Sequence, residues 1–258
     1  MQPLLDWISA NYQWKASLAM ALAYVVLSIL GMRFLRLIPV FRQSFDQNAE
    51  SFKMKMKKES YAKKQKFNQR LSLIGVLFAI TSVFPFCLTE KTPEIWCIVI
   101  DITVILMVYD FLYYFLHRFI FHDNGFIGGP LRSIHAVHHR QHVPCTKDST
   151  YLHPIELVLG LGLFLIVVLI MAQIMGPFSV ASLTVAFMIY GAVNNHNHAL
   201  WDTDRFPFRY FAFLSRMHHY HHAKFTGGNY ATITPMFDWM FGSLDHGSGW
   251  KKRPTNRN

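Results

Sequence analysis

The sequence has little cysteine and little charge. Cys87, Cys97 and Cys145 are the only cysteines in 258 residues. They form no Cys-x-x-Cys pair, which excludes a thiolate-held iron–sulfur cluster and a disulfide framework. Cys87 and Cys97 flank a short loop. They read as small buried apolar residues, with pairing in an oxidising compartment as the alternative. Charged residues make up 16% of the chain. No Gly-x-Gly-x-x-Gly fingerprint and no haem-attachment motif is found, so any redox chemistry must take its electrons from another protein. The chain shows no early basic segment, and Asp6 and Trp7 are unsuited to one, so no cleavable signal peptide is expected.

What the chain has instead is apolar length. Hydrophobic residues make up 52% of it, gathered into runs of membrane-spanning size. Trp7, Tyr12 and Trp14 suit an interfacial belt. Ala16–Met32 carries no charge and forms a first span, with apolar character running on to Val40. Leu71–Leu88 is a second, Ile95–Phe115 a third, Ile155–Met175 a fourth and Phe178–Val193 a shorter fifth. Asp101 and Asp110 lie inside the third, where an acid is costly and marks a paired or functional group. The expected fold is all-α and integral to the membrane, with four to five transmembrane helices.

The net charge is +10, and eleven Lys and Arg fall between Arg33 and Arg70. Lying between two apolar spans, this basic loop reads as the cytoplasmic side of the membrane and not as a nucleic-acid site. Its mixed apolar and basic residues suggest a helix on the membrane surface. With that loop in the cytoplasm, alternating spans put residues 117–153, 196–222 and the basic tail on the same side.

Those cytoplasmic segments hold most of the fourteen histidines. His135, His138 and His139 form a His-x-x-His-His unit, and His218, His221 and His222 repeat it. Within one helical turn, i, i+3 and i+4 share a face. His117 and His122 are five apart, about 140° round an α-helix, and converge only if the helix ends or loosens near Asp123-Asn124-Gly125. A ninth imidazole is expected from His196 or His198, which cannot both point the same way from a regular helix. His153 stands before Pro154 and reads as a ligand or as a helix cap. Neutral imidazole suits iron, zinc, copper or nickel, and eight or nine exceed what one ion holds, so the set implies a dinuclear centre. Asp110, seven residues before His117, is expected to orient a ligand ring, and Glu156 to do likewise or to serve as a helix-start acid.

Residues 109–245 resemble the fatty acid hydroxylase/sterol desaturase superfamily, whose pattern is His-x4-His, His-x-x-His-His, His-x-x-His-His. The nearer likeness is to C-4 methylsterol monooxygenases and cholesterol 25-hydroxylase. It rests on Tyr114-Phe115-Leu116-His117-Arg118, on His153-Pro154-Ile155-Glu156, and on His218–His222 followed by Phe225, Asn229-Tyr230 and Asp238. Where those relatives usually carry an acid, this chain has His219. The resemblance implies a two-iron site held by His117, His122, His135, His138, His139, His218, His221 and His222, and it favours His196 as the ninth ligand. It also implies O2 as co-substrate and hydroxylation or desaturation of a lipid.

Residues 1–108 are therefore read as transmembrane helices with the basic loop, 109–245 as the metal-binding domain, and 246–258 as a basic tail. The expected activity is oxidation of a C–H bond in a membrane lipid, a sterol above all. A fatty-acyl or carotenoid hydroxylase is the alternative within the class, and a non-catalytic metal-binding protein or a histidine-relay transporter outside it. The electron donor is expected to be cytochrome b5 or a ferredoxin with its reductase, steered by the basic patches. Tyr109, Phe111, Tyr113, Tyr114, Tyr190, Phe206, Phe208, Tyr210, Phe211 and Phe213 are candidate linings of the lipid passage. The membrane is that of a bacterium or the endoplasmic reticulum.

Overall fold

The computed structural model describes residues 2–123, 125–201 and 203–247. Asn124 and the basic tail 251–258 lie outside the described residues. A backbone in lipid must satisfy its own polar groups, and the apolar runs do so as helices. After α1 (Gln2–Asn11) come α2 (Trp14–Leu37), α3 (Pro39–Met56) and α4 (Glu59–Phe78). Then follow α5 (Ile95–Phe115), the short α6 (Arg132–His135), α7 (Pro154–Met175), α8 (Val180–Asn197), α9 (Arg209–Ala223) and α10 (Met236–Met240). The only strands among the described residues are the parallel two-residue pair Leu88–Thr89 and Phe178–Ser179.

Among the described residues, four helical segments are long and apolar enough to cross a membrane: Trp14–Leu37, Glu59–Phe86, Ile95–His122 and Pro154–Met175. The expected fifth, now α8, is a central helix packed against α2, α5 and α9. It buries Leu183, Ala186 and Phe187 and ends in polar residues. Conversely α2 buries only Ala16, Ser17 and Met20 and leaves Leu18, Leu22, Val25, Val26, Ile29 and Leu30 exposed. A continuous apolar face of that kind suits lipid. Asp101 in α5 accepts from Ser182 Oγ at 2.7 Å, so this span acid is paired, as expected. All three cysteines are free thiols.

The basic stretch departs from the expected surface helix. It is two helices, α3 and the first half of α4, joined by a turn at Lys57 and Lys58. Their polar side chains face inward and grip the loops beside the histidines. Asn48 Oδ1 accepts from Thr146 N and Leu200 N at 2.9 and 3.0 Å. Asn68 Nδ2 donates to Thr150 O and Leu152 O at 2.8 and 2.7 Å. Asp148, fully buried, accepts from Tyr61 Oη and Cys145 N, each at 2.7 Å, and pairs with Lys55. Hydropathy alone reads such residues as solvent-facing, but their groups replace water around buried loop carbonyls and amides.

Losing Asp148 strands the Tyr61 hydroxyl and the Cys145 amide and takes the ion-pair partner of Lys55, which keeps Val143 O, whereas Tyr61→Phe removes one hydrogen bond. Asp148→Ala should therefore lower the thermal midpoint by roughly 5 °C or more. Tyr61→Phe should lower it by less. Circular dichroism melts in detergent check both values and their order.

Candidate metal centre

Nine histidines meet at one end of the helix bundle, in two adjoining groups. The first holds His117, His122, His135, His139 and His221; the second holds His138, His198, His218 and His222. All nine are buried.

Local structure explains how they converge. After Phe115 the third span widens into a π-helix over Leu116–His122. Its i→i+5 bonding brings residues five apart to one side, and the His117 and His122 rings lie 4.9 Å apart. The helix was expected to end or loosen near His122, and it widens over the seven residues before Asp123. In α9, His218 and His222 lie about 40° apart, while His221 lies about 60° to the other side of His218. The first two join the second group and His221 joins the first. The His135 unit splits in mirror fashion: His135 and His139 go to the first group and His138, on a 3-10 turn, to the second.

His196 and His198 resolve clearly. His198 follows the last turn of α8 as its C-cap, and its Nε2 lies 3.0 Å from that of His138. His196 points away and bonds Phe211 O at 2.8 Å beside Trp201. The preference for His196 is thus corrected: within α8 its side chain leaves on the far face, and the turn after Asn197 is needed to swing an imidazole inward. His153 caps α7, with its Nδ1 accepting from Ile155 N at 3.2 Å. His219 belongs to neither group.

The two acids differ. Glu156 Oε1 accepts from His135 Nδ1 at 2.7 Å, as expected of an orienting carboxylate. Asp110 does not bond His117. It accepts from the amides of Thr232, Ile233 and Thr234 at 2.8, 2.8 and 3.0 Å and from the Thr234 hydroxyl at 3.1 Å. Its helical register matches His117, but the loop packed against α5 supplies donors first. Asp110 therefore fixes the loop whose Tyr230 carbonyl meets His117 Nδ1 at 2.7 Å.

Most ring orientations rest on backbone carbonyls, which composition does not reveal. Nδ1 of His122, His138, His198 and His221 meets the carbonyls of Phe225, Tyr151, Asn194 and Gly228 at 2.7–3.1 Å. The segment 225–230 is held by Asn229, at φ 66°, whose Nδ2 bonds Met217 O and Asp245 O. Asp238 accepts from the Tyr230 and Ala231 amides, each at 2.8 Å. The only sequence signals for this clamp are the Gly227-Gly228-Asn229 turn and a buried acid after it.

These acceptors fix the tautomers of His117, His122, His135, His138, His198 and His221, with the proton on Nδ1 and the lone pair on Nε2, whereas Nδ1 of His139 and of His222 is buried without a partner. The Nε2 atoms then face each other: His117–His135 3.0 Å, His139–His135 3.0 Å, His139–His221 3.1 Å and His221–His117 3.2 Å. His122 Nε2 is buried with no hydrogen-bond partner. Lone pairs at such distances repel unless a cation lies among them. Burial also pushes His138 and His221 down to about 4, so both are neutral at pH 7. The donor set thus fits soft to borderline metal ions, one per group.

A cavity of about 220 Å³ opens on both groups and runs into the helix bundle. His117, His135, His138 and His218 stand at its head, and Tyr109, Tyr113 and Tyr190 line it deeper in. Of the other aromatics expected there, Phe206, Tyr210 and Phe211 lie exposed, and Phe111 packs on Phe237.

The sequence is similar to those of known proteins. Residues 102–243 match the model of the fatty acid hydroxylase family. Methylsterol monooxygenase 1 of Rattus norvegicus is 30% identical over 140 residues, covering 53% of this chain and 44% of the relative. The Gallus gallus protein of that name is 27% identical over 168 residues, 64% of this chain and 52% of the relative. Protein CER1-like 2 of Arabidopsis thaliana is 26% identical over 143 residues, 53% and 22%. The chain thus spans about half the length of the first two relatives and less of the third. No solved structure gives a significant match.

Two outcomes follow from the geometry. His198→Ala should lower bound metal by about half, and His196→Ala should leave it unchanged, as read by mass-spectrometric metal analysis of purified protein. Because the folded state depresses the imidazole values of His138 and His221 from 6.5 to about 4, the unfolded chain takes up protons first as pH falls. The metal-free protein should lose stability as pH drops from about 6.5 toward 4, and be steady above 7. Chemical-denaturant midpoints at pH 7.5, 6 and 5 test the sign.

Proposed function

The chain belongs to the fatty acid hydroxylase family, and we propose that it is a membrane oxygenase using two iron ions and O2 to oxidise a C–H bond of a lipid. A sterol or sterol-like lipid is the proposed substrate class. The observation that carries this reading is a double histidine shell opening on a cavity lined by the spans. The methylsterol monooxygenase relatives support the sterol. His117, His122, His135, His139 and His221 would hold one ion, and His138, His198, His218 and His222 the other. Bound iron supplies the reduction of O2 and the oxidising power to remove hydrogen from an unactivated carbon.

The chain's own residues do the rest. Carbonyls and Glu156 hold the proton on Nδ1 of His117, His122, His135, His138, His198 and His221, so that their Nε2 stays a donor to metal. Asp110 and Asp238 keep the carbonyl-bearing loop in place. The spans exclude water from the cavity and let an apolar body enter from the bilayer while the histidines stay near the aqueous side. The basic residues of α3 and α4 lie at the histidine end, which supports a cytoplasmic orientation. Each oxidation needs two electrons, for which cytochrome b5 or a ferredoxin with its reductase would dock on that face.

The test is turnover of sterols and fatty-acyl lipids in nanodiscs under labelled O2, with iron, donor and reductase supplied. One labelled oxygen should enter the lipid with the native chain, and His138→Ala should reduce this by about 100-fold or more. A double bond without label would make the protein a desaturase. No product from either lipid class, or equal product from His138→Ala, would refute the reading.

A further inference from the structure

Glycine inside a helix is about 1 kcal/mol less favourable than alanine, so each one in a span calls for a reason. Gly75 has one in packing: a Cβ there would stand 2.7 Å from Leu161 Cδ2, so its absence lets α4 approach α7. Gly160 and Gly191 have no such need. A Cβ on Gly160 would meet nothing within 4 Å, and one on Gly191 only Tyr24 Oη at 3.9 Å. Both line the cavity that opens on the histidines.

Their depth matches. Gly160 lies one turn along α7 from Glu156, which holds His135, and Gly191 one turn along α8 from Asn195, which also lines the cavity. One turn is about 5–6 Å of rise. Beside them Tyr109, Phe187 and Tyr190 give the cavity an aromatic wall: Phe187 and Tyr190 lie within 14° of parallel, and Tyr109 meets Tyr190 edge to face at 5.2 Å. Glu156 Oε2 is buried, has no hydrogen-bond partner and lines the same cavity. It is an acceptor left for a donor that enters there.

We propose that Gly160 and Gly191 set the width of this passage, admitting a flat fused-ring lipid and not only a single acyl chain. A fused ring needs room along both edges, and the two missing side chains leave it on α7 and α8. The aromatic wall offers such a ring apolar contact. This inference rests on the lipid reading of the cavity and adds the residues that choose among lipids.

Energy transfer from tryptophan tests it without turnover or metal, using dehydroergosterol as the ring probe and cis-parinaric acid as the chain probe. Gly160→Ala, Gly160→Val, Gly160→Phe and Gly191→Val are compared with Gly162→Phe, a neighbour that also meets nothing within 4 Å but does not line the cavity. Ring-probe affinity should fall progressively along the Gly160 series, by about tenfold or more for Phe. It should fall also for Gly191→Val, with chain-probe affinity changed less than about twofold and Gly162→Phe like the native chain. Native-like ring binding by Gly160→Phe and Gly191→Val overturns the inference. Equal loss of both probes along the series also overturns it, since that is general damage. A native chain that binds the chain probe but not the ring probe overturns the inference and leaves the lipid reading standing. Binding of neither probe removes both.

Discussion

Nine buried imidazoles, with lone pairs turned toward each other at about 3 Å, govern this structure. Burial denies them water and keeps them neutral, while hydrogen bonds on the opposite nitrogen of six of them prevent those rings from turning away. The arrangement is costly for the protein alone and favourable once a cation fills each group. Much of the surrounding chain can be understood as what keeps that arrangement from relaxing.

Three devices keep it. The widened turn Leu116–His122 aligns two histidines that an ordinary helix would hold apart. The loop from Phe225 to Thr234 presents carbonyls to the rings and is itself held by Asp110, Asn229 and Asp238. From the opposite side, polar residues of α3 and α4 hold the segment 145–152, whose Tyr151 carbonyl orients His138. A lipid-facing bundle thereby supports a rigid, water-poor polar cap, and the cavity between them has an apolar body and a donor-rich head.

The spans, the His-x-x-His-His units and the gathering of histidines at one end were legible because apolar length and i, i+3, i+4 spacing are local properties. Glu156 was legible as either a ring-orienting or a helix-start acid, and it bonds His135 from the first turn of α7. The split of each unit between two groups was not read, although it follows from the same 100° per residue. The choice of His198 over His196 depends on a chain turn beyond α8, and the role of Asp110 on a loop more than a hundred residues away. The inward polar faces of α3 and α4 looked like surface because hydropathy does not record a partner. Carbonyl acceptors carry no side-chain signature at all.

The account holds that the two groups are separate, preformed cation sites. The most direct test is anaerobic titration of metal-free protein with ferrous ion, counting ions bound per chain at saturation. Saturation at about two per chain is the predicted result, one for each group. Saturation at one, or no binding at ordinary ferrous concentrations, would contradict it.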